Sequence, residues 1–148
     1  MKPVIITLLL SIAFALSGQN RPYEFHRLMQ EGDSKEQVRF LKAWEKEAPE
    51  DPEFFTACFS YYFTSSRQAL SYDTVLFEKG ISKISEGIAL HPVRLDMRFG
   101  KIYALGEVKD WTRFSDEIRR TIHFSARVEN KWAWTMNQPW EGGEKEFL

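Results

Sequence analysis

The sequence predicts an all-α fold of antiparallel helical hairpins stacked side by side in a short array. Three observations predict it. The stretch from Phe77 to Trp111 reads helix, proline turn, helix, glycine turn, start of helix. The segments on either side read as variants of the same unit. The composition is that of a packed globular chain, with 43% hydrophobic and 28% charged residues, and the high aromatic share of 15% suits helices packed through large side chains.

Residues 1–18 read as a secretory signal peptide rather than as part of the fold. Lys2 supplies the positive end, and Val4 to Leu16 is an apolar run broken only by Thr7 and Ser11. Ala15-Leu16-Ser17 offers small residues for cleavage before Gly18 or Gln19. The run is short for a membrane span, which needs about 20 apolar residues. With no cysteine at the cleavage site, nothing suggests a lipid anchor. The expected product is an exported protein, periplasmic or extracellular, with no membrane segment after the signal is removed. Its helical domain would be 19–148.

A short helix is expected from Tyr23 to Met29, broken at Gly32-Asp33. Asp33 or Ser34 then caps a second helix whose apolar stripe is Val38, Leu41 and Trp44, and Pro49 closes it. Glu50-Asp51-Pro52-Glu53 opens the third helix, with proline in the first turn and acids at the positive end of the dipole. That helix, Phe54 to about Thr64, is apolar almost all round, which predicts a central, buried position. Cys58, the only cysteine, reads as a buried small hydrophobe. Ser65 to Tyr72 reads as an inserted loop, and Asp73 or Thr74 caps the fourth helix.

In the fourth helix Gly80, Ile84 and Gly87 repeat at i, i+4 and i+7. Glycine inside a helix costs about 1 kcal/mol relative to alanine. A close approach by a neighbouring helix would offset that cost. Pro92 ends this helix by disfavouring the helical conformation at His91. The next helix is expected to bury Leu95, Phe99 and Ile102, with Tyr103 beside them, and to stop at Gly106. Asp110 is the expected cap of a last helix with the stripe Trp111, Phe114, Ile118 and Ile122. After Arg127 the pattern weakens. Trp132, Trp134 and Trp140 fall in a polar setting, and Glu141 to Leu148 reads as the start of a further helix.

Phe99-Gly100 with Tyr103 matches the L-G-x2-Y signature of the tetratricopeptide repeat, a helical hairpin of about 34 residues. Gly80, Ile84, Gly87 and Pro92 stand where that family has small, large apolar, small and proline. The chain thus resembles small exported bacterial tetratricopeptide repeat proteins, with departures. Gly replaces Ala twice, the linker after Pro92 is short, and the early Trp of the motif has no counterpart. The resemblance implies a short solenoid with approximate repeats at 22–49, 50–92 and 93–127, and 128–148 as a tail or truncated helix.

The same resemblance implies a protein- or peptide-binding scaffold in the bacterial cell envelope. In that family the first helix of each hairpin lines a concave groove, where cations hold a carboxylate of the bound peptide. Arg94, Arg98 and Lys101, at i, i+4 and i+7, are the candidates here, with Tyr61 and Tyr62 on the preceding first helix. A solvated face, with Asp96 as a local partner, explains the same three cations. Trp132 and Trp134 are further exposed-aromatic candidates. An accessory subunit of a periplasmic enzyme is the alternative, and a catalytic site spread across helices a third.

Chemistry is not expected. The chain has no zinc-binding, phosphate-loop, metalloprotease or nucleophile-elbow motif. His26, His91 and His123 stand apart in sequence. The acids Glu45, Glu47, Glu50, Asp51 and Glu53 read as solvated helix ends, and they lack the spacing and central glycine of a calcium loop. No catalytic, cofactor-binding or metal-binding residue is therefore nominated. A net charge of −1 argues against nucleic acid as a partner.

Overall fold

A computed structural model describes residues 20–125, which form six helices and no strand. The expected signal peptide at 1–18 and the tail at 128–148, with Trp132, Trp134 and Trp140, lie outside the described residues. The first helix, α1, covers 20–31 and is longer than the Tyr23–Met29 segment expected. Gly32 follows it with φ of 77°, a left-handed turn that glycine takes without strain. The remaining helices are α2 (Ser34–Glu47), α3 (Pro52–Ser66), α4 (Thr74–Leu90), α5 (Leu95–Glu107) and α6 (Trp111–Ser125). Among the described residues no helix is long and apolar enough to cross a membrane.

Four of the helix starts use one device. The carboxylate of Asp33 accepts from the backbone N–H of Lys35 and Glu36, that of Asp51 from Glu53, that of Asp73 from Leu76, and that of Asp110 from Arg113, all at 2.9–3.1 Å. Each satisfies backbone donors that the first turn leaves without partners. Asp51 does more. Its second oxygen accepts from the indole Nε1 of Trp44 at 2.9 Å, so the cap of α3 also fixes the buried ring of α2. The loop between α3 and α4 is pinned by an isolated bridge between Arg67 and Tyr72 and leaves Leu70 in solvent.

The core is built around α3, which buries Phe54, Phe55, Ala57, Cys58, Phe59 and Phe63. Trp44 of α2 packs against Phe54, with ring centroids 6.2 Å apart. Phe59 and Phe63 stack at 5.6 Å, and Phe63 meets Phe77 of α4 edge-on at 6.2 Å. Burying one such ring contributes about 1.5–3 kcal/mol. Burial also pushes the Cys58 thiol up to about 12, in keeping with an inert core residue.

The glycine stripe of α4 faces α3 as expected. A Cβ on Gly87 would lie 2.7 Å from Cβ of Phe55 and 3.0 Å from the sulfur of Met97. One on Gly80 would lie 3.3 Å from Cβ of Tyr62. Gly100 of α5 similarly receives the ring of Phe59 at 3.3 Å.

The last two helices depart from expectation. In α5 the buried residues are Leu95, Met97, Ala104 and Leu105, whereas Phe99 and Ile102 are half-buried and Tyr103 is exposed. Gly106 does not end the helix, because α5 continues to Glu107 and the left-handed residue is Lys109, with φ of 60°. Gly106 instead makes room for the ring of Phe114, 3.2 Å from where its Cβ would be. In α6 Trp111 and Ile122 are exposed, and Glu117 and Thr121 are buried. The physical reason is an ion cluster between α5 and α6, described below.

Two substitutions test this packing. Gly87→Ala should destabilise the protein by about 1–3 kcal/mol in urea unfolding, because overpacking outweighs the gain in helix propensity. An unchanged midpoint would mean that α4 does not approach α3 so closely. Lys109→Gly should stabilise it by roughly 1 kcal/mol, since a left-handed conformation is costly for any residue with a Cβ. A loss of stability there would show that Lys109 is held by more than its backbone.

Candidate functional site

The sequence nominated Arg94, Arg98, Lys101, Tyr61 and Tyr62 for one peptide groove. The structure places them in three locations. Arg94 precedes α5 and is engaged by two acids. Its Nε and Nη2 donate to both carboxylate oxygens of Asp96 at 2.8 and 2.7 Å, and Nη2 also meets Glu53 at 2.8 Å. These bonds hold the Arg94 pKa above its usual value and the Asp96 pKa below the usual carboxylate range. The local pairing with Asp96 is the one the sequence suggested. Tyr61 and Tyr62 pack edge-on at 5.3 Å, and both are half-buried. Burial, followed by nearby Cys58, raises the Tyr62 pKa. Cβ of Tyr62 lies 3.3 Å from where a Cβ on Gly80 would be, so Tyr62 packs against α4.

Arg98 and Lys101 face the other way, towards α6. Nη1 of Arg98 donates to one oxygen of Glu117 at 3.2 Å, and Nζ of Lys101 meets the other at 3.0 Å. The side chains are only 12%, 16% and 5% exposed for Arg98, Lys101 and Glu117. The expected solvated or groove-lining stripe is thus a largely buried ion cluster. The guanidinium of Arg98 also lies over the ring of Phe124, 4.7 Å from its centroid. Its buried Nε has no acceptor among the described residues. Such an unmade bond costs about 1–3 kcal/mol.

This cluster forms one wall of an open cleft of about 400 Å³ between α4, α5 and α6. Ser85, Ile88 and Ala89 of α4 line it, with Pro92, Arg98, Lys101, Glu117 and Arg120. A second, smaller cleft of about 140 Å³ lies between α1 and α3, lined among others by His26, Met29, Thr56 and Ser60. Glu117 and Arg120 were not singled out in the sequence. Glu117 could have been, because it falls on the same helical face as Phe114 and Thr121, where an unpaired carboxylate would be costly. It therefore requires cations on the facing helix. Arg120 carried no such signal.

Several other titratable groups have structural partners. Glu45 meets Lys83 at 3.6 Å, Glu47 pairs with Arg21, and His91 Nε2 lies 2.6 Å from the carbonyl of Glu50. Among the described residues no group of three His, Cys, Asp or Glu side chains is placed to hold a metal ion.

The two sets of ion pairs should differ sharply in worth. Glu117→Ala leaves two cations in a buried setting and should cost about 3–5 kcal/mol in urea unfolding. Asp96→Ala removes a surface pair and should cost at most about 1 kcal/mol. Equal losses would mean that the Glu117 cluster is hydrated like an ordinary surface pair. The chain matches no family model, no curated protein and no solved structure, so its function rests on its own side chains.

Proposed function

We propose that the protein is an exported, tetratricopeptide-like scaffold without catalytic activity, which binds a protein or peptide partner in the bacterial cell envelope. The observation that carries the proposal is the adjacency of alternate helices. The cleft between α1 and α3 brings His26 and Met29 against Thr56 and Ser60. Phe59 of α3 packs on Gly100 of α5, Phe63 meets Tyr103 edge-on at 6.1 Å, and Glu53 reaches Arg94. These contacts of α3 with α1 and with α5, between segments distant in sequence, support reading the first members of the three expected hairpins as one layer. Repeat arrays create extended binding surfaces in this manner. The half-buried Phe99 and exposed Tyr103 add aromatic surface to that layer, of the kind enriched at interfaces.

Site-specific photo-cross-linking in the producing cells tests the proposal. A benzophenone side chain at Ser60, beside the α1–α3 cleft, should give a discrete cross-linked species in the envelope or secreted fraction. The same group at Ser82 should not, because Ser82 is two residues past Gly80 and therefore on the side of α4 turned away from α3. Equal cross-linking from both positions, or none from Ser60, would count against a binding layer on α1, α3 and α5.

A further inference from the structure

The cleft between α4, α5 and α6 has more positive charge than its own carboxylate can neutralise. Arg98 and Lys101 share the single carboxylate Glu117, one on each oxygen, so its one negative charge is set against two cations. Arg120 lines the same cleft, and among the described residues no ion pair or hydrogen bond engages it. The next acid in sequence beyond Glu117, Asp116, is taken by Arg119 at 3.0 Å. Among the described residues that line this open cleft, three cations against one carboxylate leave an excess of two positive charges. The wall on the α4 side is mostly apolar, from Ile88 and Ala89, with Pro92 at the edge, and the hydroxyl of Ser85 there donates to the carbonyl of Ile81. Low-dielectric walls strengthen the field of charges that line them.

We propose that this cleft is an oxyanion-binding site, in which Arg98, Lys101 and Arg120 receive a carboxylate or phosphate group beside Glu117. A guanidinium at the rim offers paired N–H donors that fit either group. Lys101 supplies a point charge behind it, and Arg98 a charge braced by Glu117 and Phe124. The bound anion neutralises charge that the fold leaves in excess, so binding requires no displacement of Glu117. The site lies on the α6 side of α5, away from the α1–α3 cleft. It does not depend on the scaffold function, and either can fail without the other.

Calorimetric titration of the protein at low ionic strength tests the site with two probes, inorganic phosphate and an acetylated tri-glutamate peptide. The tri-glutamine peptide serves as the blank. At least one probe should bind saturably at a single site, and the tighter of the two identifies the source of the oxyanion. Arg120→Gln should weaken that binding by fivefold or more. Arg119→Gln makes the same charge change one residue away, outside the cleft, and should leave it within twofold of wild type. Both arginines are exposed, so neither substitution endangers the fold. Three outcomes overturn the proposal: neither probe binds saturably, both variants lose affinity equally, or Arg120→Gln leaves affinity unchanged.

Discussion

The rest of the structure depends on the approach of α4 to α3 through Gly87 and Gly80. Where Gly87 crosses Phe55 there is no room for even one methyl group. A larger residue would push α4 outward, and the consequences would not stay local. Phe55 and Met97 converge on Gly87, so that glycine sets the spacing of α3, α4 and α5 together. Cores packed like crystals transmit such displacements instead of absorbing them. An otherwise poor helix former is therefore in the middle of a long helix for a packing reason.

That contact accounts for the composition of α3. A helix apolar on nearly every side needs neighbours on every side. α4 covers one side through glycine, α2 another through Trp44, and α5 a third through Gly100 under Phe59. The side facing α1 carries the more polar Thr56 and Ser60. The polarity of α3 thus changes at the cleft it shares with α1.

Helix positions were legible in the sequence because helix ends are local chemistry. Asp33, Asp73 and Asp110 cap where they were expected to, and Pro92 stops α4 at Leu90. In α2 Leu41 and Trp44 are buried as expected, but Gln37 takes the place of the half-buried Val38, its amide donating to the carbonyl of Leu28. The buried faces of α3 and α4 were legible, since there apolar periodicity and burial coincide. They part company in α5 and α6. Periodicity assigns charged residues to solvent, and it therefore turned Phe99 and Ile102 inward with Leu95, which alone of the three is fully buried, and Arg98 and Lys101 outward. The rule fails when cations on one helix meet an acid on the next, because each then removes the cost of burying the other. No single-helix pattern contains that information. It resides in the pairing of two helices, and Gly106 misled for the same reason: its role is to admit Phe114, a residue of the other helix.

The way α6 docks bears on what the region can do. Its buried face carries Glu117 and Thr121, and Trp111 is 60% exposed. Apolar burial alone would have favoured a rotation of the helix that puts Trp111 inside. The Glu117 cluster opposes that rotation, since turning α6 would carry a carboxylate away from Arg98 and Lys101 and strand two cations. Buried ion pairs often add little net stability compared with a hydrophobic replacement. Here the cluster selects one rotational setting of α6 over another, a contribution to specificity more than to stability. The same setting brings Arg120 to the cleft. Docking by charge, with cations in excess, therefore leaves a helix junction that is ordered and still electrostatically incomplete.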